Sequence, residues 1–307
     1  MSTNVREALN EKDGFQVWWR LLRPHTLTAS FVPVFIGTML AYNDYPLNWL
    51  LFGAMLLASI LIQAATNMFN EYYDYKLGLD TEASVGIGGT IVRDGISPRT
   101  VLNLALIFFG IAILLGIYIC LVTSWWIAVI GAVSMLFGYL YTGGPIPIAY
   151  TPFGELFAGF FMGTVIIGIS YYIQSLTLTS DVIWVSVPVA IFIGAILLSN
   201  NIRDRENDAT SGRRTIAILL GHRGAVIFLA TLFTIAYGLT AILIGRGILP
   251  ISAVIAFLSV IKAISVINGF RGKTTPLEMM PAMVATGQTN TIYGFLLGLA
   301  LLADQFI

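Results

Sequence analysis

Long apolar runs separated by short polar stretches dominate this chain. The runs fall near residues 24–42, 48–69, 101–121, 125–142, 153–174, 181–201, 223–245, 249–267 and 282–302. Each is close to the ~20 residues that a helix needs to cross ~30 Å of hydrocarbon. The pattern predicts an all-α membrane protein: one polytopic domain over residues 1–307, built as a bundle of about nine transmembrane helices, with residues 1–22 as a segment outside the bilayer.

Composition supports the same reading. Hydrophobic residues make up 57% of the 307 positions and charged residues only 10%, where soluble domains carry roughly a quarter charged. If the amino terminus is cytoplasmic, the inside connections hold 15 of the 16 Lys and Arg residues, with Lys262 counted at the inner end of its span, and Arg246 is alone outside. The positive-inside rule then sets a multi-pass protein of the cell inner membrane with its amino terminus in the cytoplasm. Residues 1–22 carry Arg6, Glu7, Glu11, Lys12, Asp13 and Arg20 and lack the apolar core of a signal peptide, so no cleavage is expected. The net charge is zero and the basic residues are scattered, which points to membrane lipid and lipid-like substrates and away from nucleic acid. No obligate protein partner is expected. Cys120 lies in an apolar run and reads as a small buried hydrophobe.

The outside connections are short and featureless, which places the chemistry in the inside loops at 70–100, 141–152 and 203–222. The second run continues into Asn67, Asn70, Glu71 and Asp74, which share one helix face by their i, i+3, i+4 and i+7 spacing, with Lys76 and Asp80 beyond. The sixth run ends in Asn200, Asp204 and Asp208 on one stripe, beside Arg203. Each segment pairs an Asn with an Asp four residues later and a further Asp beyond, an echo of internal duplication. A solvated helix end is the ordinary reading of any one such acid. Two clusters that directly continue apolar spans instead fit the rim of a polar, cytoplasm-facing cavity, because a charge at the bilayer centre costs about 2.5–3.5 kcal/mol.

Carboxylate and amide oxygens without His or Cys ligands suit a hard cation, and Mg²⁺ takes one or two carboxylates together with water and substrate phosphate oxygens. A diphosphate substrate would need such a metal between itself and the acids. Arg23, Lys76, Arg93, Arg203, Arg213 and Arg214 lie on the same side and could complete a diphosphate site. The segment Gly86-Ile-Gly88-Gly89-Thr90 could offer backbone N–H groups to phosphate. Tyr72, Tyr73, Tyr75, Tyr139, Tyr141 and Tyr150 read mainly as an interfacial belt, from which one or two rings could face an allylic cation. His222 and Glu155 read as structural.

The two acidic segments, at the ends of the second and sixth runs, resemble those of the intramembrane aromatic prenyltransferases, the UbiA superfamily. The resemblance extends to Arg23-Pro24-His-Thr-Leu-Thr-Ala-Ser30, to Tyr141-Thr-Gly-Gly-Pro145 with Gly154-Glu155-Leu156, and to Asn200-Asn-Ile-Arg-Asp204 followed by Gly212-Arg-Arg-Thr-Ile-Ala-Ile-Leu-Leu-Gly221. These motifs are similar to the branch that prenylates 1,4-dihydroxy-2-naphthoate. The resemblance implies a Mg²⁺-dependent enzyme that moves a polyprenyl chain from polyprenyl diphosphate to that acceptor, with loss of CO₂ and diphosphate, in menaquinone biosynthesis. It makes Asn70, Asp74, Asp204 and Asp208 the catalytic metal-diphosphate positions, with Glu71 and Asp80 as further metal ligands and Arg23, Lys76 and Arg214 as diphosphate contacts; Arg203 is grouped with these cations. Here Glu71 follows Asn70 where the superfamily has Asp, and the third acidic position falls on Gly78, with Asp80 two residues later as in the naphthoate branch. Other acceptors, such as 4-hydroxybenzoate, remain alternatives within the superfamily. A cation-coupled transporter is the alternative from another class, but its acids would sit near the membrane midplane and not at span ends.

Overall fold

A helix satisfies its own backbone hydrogen bonds, which is the requirement for crossing hydrocarbon. The structure, a computed structural model, describes residues 5–8, 11–82, 84–85, 88–143, 145 and 147–306, and among them every regular element is helical. Each of the nine apolar runs lies on a helix: α1 (Pro24–Tyr42), α2 (Trp49–Lys76), α3 (Pro98–Val122), α4 (Trp126–Thr142), α5 (Gly154–Ser175), α6 (Ser180–Thr210), α7 (Ile216–Gly245), α8 (Ile251–Phe270) and α9 (Pro276–Asp304). Asn48 caps α2, its side chain accepting from the Leu50 and Leu51 N–H groups at 3.1 Å. Pro276 opens α9 behind a Thr275–Glu278 capping box.

Among the described residues, seven of these helices are long and apolar enough to cross a membrane. The two that differ from expectation have separate reasons. Helix α4 has only 17 residues. Helix α9 has 29 residues but carries Thr286, Thr289 and Asn290, all fully buried, and Asn290 donates to Thr28 Oγ1 at 2.9 Å. Its polarity is turned inward against α1, where hydrogen bonds offset the cost of burial.

The largest core joins α1, α6, α7, α8 and α9 around Phe192, Phe233, Tyr237 and Tyr293. The rings of Phe192 and Tyr293 lie 4.3 Å apart, and the two tyrosine hydroxyls are satisfied by Ser259 at 2.6 Å and Thr240 at 2.7 Å. Helix α5 contains a π-helical turn, Gly159–Val165, that lies directly on α6: a Cβ at Gly163 would stand 2.6 Å from Ala190 Cα. Small residues permit this close approach. Helices α3 and α4 instead expose Leu106, Leu114, Leu121 and Val129, as expected of a surface that faces lipid.

Ahead of α1, the short helix Phe15–Leu22 and Glu11 pin the connection between α2 and α3. Arg93 forms a two-point ion pair with Glu11 at 2.7 and 3.0 Å, and Arg20 pairs with Asp94 at 2.7 Å.

Candidate active site

Helices α2 and α6 are long, 28 and 31 residues, so their polar ends project past the apolar core at the same end of the bundle. There they border a cavity of about 790 Å³. Its polar end is lined by Arg23, Asn67, Asn70, Asp74, Asp80, Asn200, Asn201, Arg203, Asp204, Asp208 and Arg213. Its other end runs among Met55, Ile119, Ile127 and Ile166 of α2 to α5. The site therefore joins an ionic mouth to an apolar groove.

The acidic segments meet through one guanidinium. Arg213 Nη1 donates to Asp208 Oδ1 at 2.9 Å, Nη2 reaches Asp74 Oδ1 at 3.5 Å, and the group lies 5.2 Å from the centre of the Tyr150 ring. Arg203 is buried, paired with Asp204 and packed on the sulfurs of Met280 and Met283. Arg23 occupies the left-handed region at φ 50, ψ 65, between the short helix and α1. A non-glycine residue held there costs about 1–2 kcal/mol. The turn is held by Asn67, whose amide donates to Leu22 O and Thr26 Oγ1, both at 2.9 Å. Arg23 Nε and Nη2 are buried without a hydrogen-bond partner among the described residues, so the strained turn delivers unsatisfied donors to the cavity.

Orphaned oxygens complete the picture. Asn70 Oδ1, Asp80 Oδ2 and Asn200 Oδ1 are buried without partners among the described residues. Asp80 lies just past α2, where burial, and then the nearby Asp74 charge, push its carboxyl up to about 7 against the pull of Arg23. Among the described residues no three acidic, His or Cys groups converge closely enough to hold a metal by themselves. Oxygen donors spread over two helix ends fit a hard divalent cation that takes its remaining ligands from water and a substrate phosphate.

Four expected positions fall elsewhere. Glu71 is turned away from the cavity: its Oε1 accepts from Thr90 Oγ1 at 2.5 Å and Ile91 N at 3.2 Å, and Oε2 presses on Gly88, where no side chain would fit. Lys76 and Arg214 are exposed and outside the lining, and Arg93 is spent on Glu11 and the Ser84 carbonyl at 2.8 Å. Of the glycine-rich segment, Gly86 and Ile87 lie outside the described residues, as does Gly144 of the Tyr141–Pro145 motif. Three residues escaped the sequence reading. Phe137, Phe157 and Phe161 stack at centroid distances of 4.7 to 6.3 Å and line the middle of the cavity. The i, i+4 spacing of Phe157 and Phe161 was the available signal.

Comparison with known proteins places these features. A model of the UbiA prenyltransferase family matches residues 30–275. The chain is 55% identical over 291 residues to a 1,4-dihydroxy-2-naphthoate octaprenyltransferase of Bacillus subtilis, covering 95% of this chain and 94% of that protein. It is 30% identical over 239 residues to the protein of the same name from Haemophilus influenzae, covering 75% and 77%. Among solved structures, the apo form of a UbiA homolog from Aeropyrum pernix superposes with a TM-score of 0.69 at 17% identity, covering 92% of this chain and 98% of that one. A UbiA homolog from Archaeoglobus fulgidus bound to GPP and Mg²⁺ gives 0.63 at 17% identity, covering 92% and 99%. At that identity the likeness is one of fold.

Proposed function

Because the chain belongs to the UbiA prenyltransferase family, we propose that it transfers a polyprenyl chain from its diphosphate to 1,4-dihydroxy-2-naphthoate, releasing diphosphate and CO₂ and yielding demethylmenaquinone. The observation that carries this reading is that two acidic helix ends and an apolar groove share one cavity. Such a cavity accepts a molecule with a charged head and a long hydrocarbon tail, for which each buried methylene contributes ~0.8 kcal/mol. The naphthoate acceptor rests on the 55% identity to the Bacillus protein.

Asn70, Asp74, Asp204 and Asp208, with Asp80 beside them, would hold Mg²⁺. Bound there, Mg²⁺ would supply positive charge that favours departure of the diphosphate. Arg23 brings its unpaired donors to the diphosphate, and Arg213, paired with Asp208 and within reach of Asp74, offsets part of their charge. Tyr141, Phe137, Phe157 and Phe161 line the next section, where ring faces attract an allylic cation and keep water from capturing it. The acceptor ring attacks that cation and loses its carboxyl group as CO₂. We place the mouth, the amino terminus and the active site on the cytoplasmic side of a plasma membrane crossed by all nine helices, which the Lys and Arg distribution supports.

The test is an assay of purified membranes with labelled polyprenyl diphosphate and Mg²⁺, offering 1,4-dihydroxy-2-naphthoate or 4-hydroxybenzoate in separate reactions. Prenylated product and CO₂ from the naphthoate alone are expected, with none after chelation. Product from the benzoate alone would overturn the acceptor, and no diphosphate-dependent product from either would overturn the reading.

A further inference from the structure

At the level of the phenylalanine stack, one carboxylate has no part in the mechanism above. Glu155, in the first turn of α5, is 6% exposed. Its Oε1 accepts from Asn201 Nδ2 at 2.9 Å, while Oε2 is buried with no partner among the described residues. A purely structural tie to one amide could be made by a neutral side chain, without a buried carboxylate and its orphaned oxygen.

Asn201 connects this carboxylate to the active site. It lines the cavity on α6 and shares a stripe with Asp204 and Asp208 at i, i+3 and i+7. In the structure the Asn201 amide presents its NH₂ to Glu155, and its carbonyl oxygen is thereby directed away from Glu155. The partners cannot easily shift. A Cβ on Gly194 of α6 would stand 2.9 Å from Glu155 O, and one on Gly159 would stand 2.5 Å from Ala190 O, so the start of α5 rests directly on α6. The π-helical turn Gly159–Val165 follows at once, and such turns are frequent at functional sites. Phe157, two residues beyond Glu155, belongs to the ring stack that lines the cavity, where a flat aromatic molecule finds stacking partners.

We infer that Glu155 is a positioning residue that fixes the Asn201 amide so that its carbonyl accepts a hydrogen bond from a ring hydroxyl of the aromatic acceptor. The inference rests on the prenyl-transfer reading and adds to it the group that reads the acceptor. A hydroxyl that donates to a fixed carbonyl is held in place and its ring made more electron-rich, one turn of α6 away from the acids at the diphosphate end.

The experiment measures KM for each substrate separately, with purified full-length enzyme and the naphthoate, alongside its unfolding midpoint. Glu155→Leu and Asn201→Ala each raise the acceptor KM about tenfold, the size of one lost hydrogen bond, while the prenyl diphosphate KM stays within about twofold. Asn201→Asp sets two carboxylates together and loses acceptor binding. The double variant Glu155→Gln with Asn201→Asp reverses the polarity of the pair, still offers an oxygen to the hydroxyl, and recovers it. An unchanged acceptor KM, an equal rise in both KM values, or failure of the double variant to improve on Asn201→Asp would overturn the inference. If Glu155→Leu does not fold, the polarity swap decides. If the wild type turns over only another aromatic acceptor, the proposed acceptor has failed, and the same KM comparison on that molecule still judges the pair.

Discussion

Glu71 separates two accounts of the first acidic segment, as a metal ligand or as a prop for the connection between α2 and α3. Its Oε1 holds the buried Thr90 hydroxyl and the Ile91 N–H, and Gly88 abuts its other oxygen. Glu71→Ala leaves two buried polar groups unpaired at ~1–3 kcal/mol each, a loss of roughly 2–6 kcal/mol. Glu71→Gln keeps an acceptor for both donors and gives up only charge assistance, about 1–2 kcal/mol. The assay is equilibrium unfolding of the purified protein in detergent, paired with Mg²⁺ titration of turnover. The Ala variant should unfold far earlier than wild type and the Gln variant slightly earlier, and Gln should need the same Mg²⁺ for half-maximal rate within about twofold. A Gln variant of native stability whose Mg²⁺ requirement rises tenfold or more would refute this reasoning and return Glu71 to the metal.

Asp74→Ala and Asp208→Ala should each lower kcat at least about 10²-fold, the scale for lost electrostatic stabilisation, with the unfolding midpoint little changed; near-native turnover in both would remove the metal site from these helices. Arg213→Ala should cost a similar factor while its exposed neighbour Arg214→Ala stays within about twofold in the same assay. Asp80 supplies a pH dependence. Its carboxyl is raised from 3.8 to about 7, so the folded chain keeps a proton that the unfolded chain releases across that window. Metal-free protein should therefore lose thermal stability as pH rises from about 4 to 7, and Mg²⁺ should restore most of the loss; a flat midpoint across that range would contradict the assignment. Gly163→Val drives side-chain atoms into Ala190, whose Cα is 2.6 Å from the nearest possible Cβ, and should cost about 1–3 kcal/mol by chemical unfolding.

Much of this was legible because the apolar runs and the acids follow one-dimensional rules. Every predicted span lies on a helix, and Asn70, Asp74, Asp80, Asp204 and Asp208 all reach one cavity. What escaped depends on packing across the bundle. Glu71 shares a helix face with Asp74, but whether that part of the face meets solvent or a folded connection depends on Gly88, seventeen residues later, fitting against it. Arg213 and Arg214 are neighbours in sequence, and the turn at Gly212, with φ +79, sends one over Tyr150 toward the acids and the other outward. Helix α9 reads as an ordinary span, yet its Asn290 matters because it meets Thr28 of α1.

The sequence echo between the two acidic segments conceals a difference in support. Around Asp74 the chain leaves α2 and returns through a connection held by Glu71, Glu11 and Arg93. Around Asp204 the helix continues, and a buried Arg203 backed by Met280 and Met283 steadies the acid. The first segment is thus held by polar contacts that several residues must make together, and the second by an uninterrupted helix packed on α9. Local opening follows the weaker support. Hydrogen exchange in the metal-free protein should accordingly run faster over residues 77–82 and 88–97 than over 200–210, and diphosphate with Mg²⁺, by tying the acids together, should slow the first segment far more than the second.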